Sequence, residues 1–193
     1  MPKFEEDYFK NLNYSNYLER YERYVKTAEE IYFYFSKLGL IDKNYKILDY
    51  GCGVGFLIKA FKKIGFKKIY GFDISSWAKK YAKKLNCKIV KKTDVKYDMG
   101  IFLDVLEHMT DKEIKNVFKK TKFEKLLLRI PCSEEPNSKK FYLKISRMDK
   151  THINCKTKNE WINLFKSFGY KSFLKLNLNT IYDSKGCLCL LVI

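Results

Sequence analysis

The chain has 193 residues, 46% of them hydrophobic and 32% charged, with a formal net charge of +17. That length can bury a full core, and no uninterrupted apolar run approaches the ~18 residues of a membrane span. The N-terminus, MPKFEEDYFKNLNY, is acidic and aromatic rather than signal-like, so the expected compartment is the cytoplasm.

Residues 4–38 predict one or two tyrosine-rich helices, closed by Gly39. KILDY (46–50) predicts a short buried strand. GFLIKAFKKIG (55–65) has apolar residues at 56, 57, 60, 61 and 64, a helical period stopped by Gly65. KKIYGFD predicts strand two, SSWAKKYAKKL a helix capped by Ser75 or Ser76, and CKIV strand three. DMGIFLD predicts strand four, TDKEIKNVFKK a helix capped by Thr110 or Asp111, and EKLLLRIP strand five. KTKNEWINLFKSFG predicts the last helix. YKSFLKLNL and GCLCLLVI predict two final strands, whose short link at 183–186 makes them antiparallel.

Strands alternating with helices predict an α/β, doubly wound, mostly parallel seven-stranded sheet with helices on both faces. Its last strand is antiparallel. No repeat or Pro/Gly/Ser linker breaks the chain. Residues 1–193 are therefore expected to be one domain, with 1–40 as a helical extension and 46–193 as the core.

Residues 59–92 hold twelve lysines and one acid, Asp73, a local charge of +11 (12 − 1). Only Arg20, Arg23, Arg129 and Arg147 are arginines. This lysine excess reads as a solvated basic face, with an RNA or membrane surface as the alternative. The six cysteines form no C-x-x-C pair and are expected to be reduced thiols.

Gly51, Gly53 and Gly55 lie between a strand and a helix. A phosphate-gripping loop needs Lys-Ser/Thr after its last glycine; Phe56-Leu57 stands there instead. A dinucleotide fingerprint needs a third glycine where Phe56 falls. Asp73 lies 22 residues after Gly51, at the tip of strand two, where an acid accepts hydrogen bonds from ribose hydroxyls. The loop is thus expected to hold a nucleoside without a diphosphate.

LDYGCGVG, GFDIS, TDV and YDMGIFLDVLEHM, in that order, resemble the class I S-adenosylmethionine-dependent methyltransferases, from about residue 46 to the end. The resemblance implies that Asp49 and the backbone of Gly51, Cys52, Gly53 and Gly55 hold the amino-acid end of the cofactor. It implies Asp73 on the ribose, Ile74 on the adenine, Asp94 and Val95 at the adenine edge, and Leu103 beside the sulfonium. Asp94 as an ordinary loop acid stays open.

The chain has two histidines, His108 and His152. Asp104, Glu107 and His108 are spaced i, i+3, i+4, one face if helical. With His152 they form a candidate divalent-metal set or a substrate-facing acid/base cluster. A loop-fastening role for Glu107 and His108 is the third possibility. Similar E-x-x-E-H segments with a later histidine occur in small-RNA 3′-terminal 2′-O-methyltransferases, and a related motif in ubiquinone-pathway O-methyltransferases. There the resemblance implies a metal near the acceptor oxygen; this chain departs in having Asp104 for the first glutamate.

Both histidines are expected to meet on the methyl side of the cofactor. Tyr14, Tyr17 and Tyr21 are expected either to stack on the acceptor or to pack the lid, and residues 31–35 to pack the core. The expected function is methylation at oxygen or nitrogen of a small-molecule or glycan-precursor acceptor. The alternatives are RNA methylation and a non-catalytic, cofactor-binding or activating subunit.

Overall fold

The computed structural model of the protein describes residues 4–10 and 16–193. Its strands are β1 (Ile47–Tyr50), β2 (Ile69–Phe72), β3 (Lys96–Leu103), β4 (Lys122–Pro131), β5 (Phe173–Lys175) and β6 (Cys187–Val192). Its helices are α1 (Glu6–Lys10), α2 (Tyr21–Lys37), α3 (Phe56–Lys63), α4 (Ser76–Lys84), α5 (Asp111–Lys120), α6 (Lys144–Met148) and α7 (Lys158–Ser167). Single 3₁₀ turns lie at Tyr17–Glu19 and Leu106–His108.

The strands form one sheet in the order β2-β1-β3-β4-β6-β5. β2, β1, β3 and β4 run parallel, and β6 runs antiparallel to both β4 and β5. Because side chains alternate along a strand, the sheet buries two separate faces. Ile47, Met99, Ile101, Leu127 and Leu191 meet α2 and α3 through Ile31, Phe35, Ile58 and Phe61. Leu48, Phe102, Leu126, Leu128 and Leu190 meet α5 and α7 through Ile114, Phe118, Trp161 and Phe165.

Three expectations need correction. The sheet has six strands, not seven. CKIV makes only a bridge, with Gly71 N donating to Lys88 O and Val90 N to Gly71 O, both at 2.8 Å. Lys88 within it and Lys91 and Lys92 after it are exposed, so nothing apolar extends the pairing. The strand expected over 170–178 shortens to β5 because Leu176 and Leu178 turn into the core beside Ile181. In the stretch 31–35, Ile31 and Phe35 take the buried stripe, one turn apart, and leave Phe33 and Tyr34 53% and 44% exposed.

The N-terminal extension is α1, the first 3₁₀ turn and α2. α1 and its flank lie over the carboxyl ends of the strands. The Glu5 carboxylate accepts from Ser76 N and Trp77 N, two orphan amides at the start of α4, at 3.1 and 3.0 Å. Tyr8 Oη donates to Asp149 Oδ2 at 3.1 Å.

Candidate active site

β1 ends in Asp49 and Tyr50, and the chain then turns through three glycines with φ of 76°, 51° and 83°. Such angles cost an L-residue about 1–2 kcal/mol. At Gly53 there is also no room: an added Cβ would collide with Tyr17 Oη. Gly53 N donates to Asp73 Oδ2 and Ser75 N to Asp73 Oδ1, each at 2.8 Å, so the loop and the end of β2 are joined through one buried carboxylate. Burial pushes the Asp73 carboxyl up, against those two bonds. Asp49 is more affected: burial, then the nearby Asp73 charge, pushes it up to about 8.

A cavity of about 350 Å³ opens on this loop. Asp49, Gly51, Cys52, Gly53, Asp73, Ile74 and Leu103 all line it, and the aromatic rings of Phe4, Tyr8, Phe9 and Tyr17 roof it. Gly55 lies beneath, at the start of α3 against Cys87 Sγ. Asp94 and Val95, expected at the adenine edge, are not in the lining of this cavity, and both are exposed. Thr93, next to them, is tied by Thr121 Oγ1 at 3.0 Å to the amino end of β4, away from the cavity.

The second group forms beyond β3. Asp104 ends the strand with φ of 56°, and the 3₁₀ turn Leu106–His108 follows. The Glu107 carbonyl accepts from Ile153 N and Asn154 N, both at 2.9 Å. Those bonds bring the distant loop carrying His152 onto the turn. The two imidazole centroids are 4.6 Å apart, and each Nε2 stands 3.9 Å from Glu107 Oε1. His108 Nδ1 meets Thr151 Oγ1 at 2.9 Å, and Thr151 in turn donates to Asp149. Burial holds the His152 pKa below its ordinary value.

Glu107 is fully buried, and neither carboxylate oxygen has a hydrogen-bond partner. His152 Nδ1 is likewise buried and unpartnered. A buried carboxylate without partners is costly, and burial pushes the Glu107 carboxyl well above its usual range. One ligand atom each from Glu107, His108 and His152 lie within 4.8 Å of one another. Tetrahedral ligands at ~2.0–2.2 Å stand about 3.3–3.6 Å apart, so the two 3.9 Å separations come to share a cation once the set contracts by a few tenths of an ångström. Asp104 is not in this group: Arg129 Nε holds it at 3.2 Å. Asp149, 3.6 Å from His152 Nε2, is the nearer acid, and i−3 spacing in MDKTH was its only trace in the sequence.

A second cavity, about 660 Å³, opens on the other side of Glu107 and His152. Tyr24, Leu103 and Asp104 line both cavities, so the two meet at the end of β3. Tyr21 instead packs on Phe56 beneath Lys59, Tyr17 is buried in the roof, and Tyr14 lies outside the described residues.

A nucleoside-sized cavity on a glycine loop, with an acid on the next strand tip, agrees with the family comparison: residues 17–173 match the model of the methyltransferase domain. The chain belongs to the methyltransferase domain family. It is an S-adenosylmethionine-dependent enzyme of class I type. No curated protein matches it. Among solved structures, the methyltransferase resembles magnesium protoporphyrin IX methyltransferase from Synechocystis PCC 6803 with bound S-adenosylmethionine. Identity is 18% over 96% of this chain and 93% of that one, with a TM-score of 0.63. A SAM-dependent methyltransferase from Archaeoglobus fulgidus aligns at 15% identity, 92% and 99% coverage and TM-score 0.62. The methyltransferase domain of the bacterial protein CtHen1 aligns at 18%, 88% and 96%, with TM-score 0.58. These likenesses describe the fold.

Proposed function

We propose that the methyltransferase holds S-adenosylmethionine in the smaller cavity and transfers its methyl group to oxygen or nitrogen of a small acceptor in the larger one. The joining of the two cavities at Leu103 and Asp104 carries this reading. When bound, the cofactor supplies an already activated methyl group, so alignment of the reactants accounts for much of the rate. Asp73 receives the ribose hydroxyls. Asp49 and the backbone of Gly51–Gly53 receive the amino-acid end, and Leu103 lies by the sulfur. His152, kept neutral by burial, accepts the proton of an acceptor hydroxyl. Asp149 and Thr151 orient the histidine pair.

The test begins with Asp73→Ala. Its lost charge-assisted bonds, about 1.5–3 kcal/mol each, should weaken S-adenosylhomocysteine binding at least tenfold by calorimetry. Unchanged affinity would refute the role of Asp73.

The unpartnered Glu107 oxygens favour one further reading, metal-assisted 2′-O-methylation of RNA. Glu107, His108 and His152 would hold a divalent cation, whose chemistry would be to polarise the acceptor oxygen. Under this reading a chelator abolishes turnover, Mn²⁺ restores it in the native enzyme but not in His108→Ala or His152→Ala, and cofactor affinity is spared throughout. A chelator without effect leaves the pair as acid/base groups.

A further inference from the structure

The larger cavity uses cations in a way the rest of the chain does not. Of 39 lysines and arginines only four are arginine, and three of these, Arg20, Arg23 and Arg129, line this cavity. No lysine lines it among the described residues. Charge alone would be met equally by lysine. A guanidinium differs in presenting a planar fork of donors that engages two oxygens of one carboxylate or phosphate.

Arg129 is answered by Asp104. Arg20 and Arg23 stand i, i+3 at the start of α2, on the solvent side of the cavity. Asn16 Oδ1 accepts from both Arg20 Nε, at 2.9 Å, and Arg20 Nη2, which fixes that edge of the guanidinium. Arg23 makes no ion pair among the described residues. The wall nearest the smaller cavity carries Asp104, Glu107 and Asp149. Asp104 is offset by Arg129, and burial favours the neutral form of Glu107, so Asp149 is the acid left to set against Arg20 and Arg23. The cavity's size, about 660 Å³, is that of a small-molecule site.

We propose that the acceptor is a small molecule carrying an oxyanion, carboxylate or phosphate, received by Arg20 and Arg23. Held there, the acceptor turns its reacting atom toward Leu103 and His152, which line the same cavity. This rests on the methyltransferase reading and names the substrate class of that site.

The test uses the full chain saturated with S-adenosylhomocysteine and treated with phenylglyoxal. Modification of each arginine is followed by mass spectrometry in chloride, inorganic phosphate or benzoate at equal ionic strength. Labelling of Arg20 and Arg23 should slow severalfold in phosphate or benzoate, while Arg147, outside the cavity, labels at one rate throughout. Protection by phosphate alone assigns a phosphorylated acceptor, and by benzoate alone a carboxylated one. Equal rates in all three salts overturn the proposal. Protection by a uridine decanucleotide but by neither small anion also overturns it, in favour of RNA. Calorimetry supplies a second arm: Arg20→Lys with Arg23→Lys keeps the charge but should weaken the protecting anion at least about tenfold, and unchanged affinity refutes the fork. Cofactor binding is scored separately. Protein that binds no S-adenosylhomocysteine refutes the methyltransferase reading, whereas binding without protection refutes the anion site alone.

Discussion

Asp49 shows how far one side chain's surroundings set its behaviour. Held at about 8, it is mostly protonated at neutral pH. A cationic cofactor end requires the carboxylate, so binding must expel a proton. Cofactor affinity should therefore fall as pH drops below 8, approaching tenfold per unit, and calorimetry in buffers of different ionisation enthalpy should register the released proton. The same shift bears on folding. The native state binds more protons than the unfolded chain between about 4 and the raised value. Stability without cofactor thus declines across that window as pH rises. Asp49→Asn should flatten both dependences, and a variant that retains the native pH profile of binding would refute this account. Other residues owe their roles to distant partners. Asp149 lies 41 residues beyond His108 and is linked to it through Thr151. Periodicity within one segment does not reveal such a meeting.

At the scale of elements, α5 holds the histidine turn in place. Thr110 and Glu113 form a reciprocal capping box: Thr110 N donates to Glu113 Oε2 at 2.7 Å and Glu113 N to Thr110 Oγ1 at 3.3 Å. His108 lies only two residues upstream, and Asn154 Nδ2 ties Met109 O to Asp111 from the opposite loop. Thr110→Ala should cost about 1 kcal/mol, which in a chain of this size lowers Tm by about 2–4 °C, measurable by calorimetry. The sequence left the cap between Thr110 and Asp111; the structure places it at Thr110, whose hydroxyl stands three residues before the Glu113 carboxylate. The glycine loop was legible, since positive φ leaves few other residues to choose. CKIV was misread because β-propensity says nothing about the length of the strand beside it: β2 offers only Gly71 as a partner. The extent of the last parallel strand was overstated for a related reason, as Leu176 and Leu178 alternate like a strand yet bury themselves around a turn.

At the scale of the whole molecule, the charge is divided by kind as well as by place. The twelve lysines of 59–92 form no ion pair among the described residues, and ten of them are exposed. Three of the four arginines gather at the larger cavity instead. Composition revealed the first pattern; the second became visible only when α2 and β4 were brought to the same end of the sheet. No helix among the described residues is long and apolar enough to cross a membrane.

The two anchors of the N-terminal segment have a kinetic consequence. Glu5 fastens to the start of α4 and Tyr8 to the loop bearing His152, so one short segment is latched at both ends of the smaller cavity. A nucleoside beneath it leaves only when a latch opens, which makes departure of the spent cofactor a candidate slow step of each cycle. Phe9 stacks on Trp77 at 5.4 Å, so indole fluorescence should report the opening. In Glu5→Gln with Tyr8→Phe, S-adenosylhomocysteine should dissociate faster in stopped flow. An unchanged rate would mean that exchange proceeds by a route the latches do not guard.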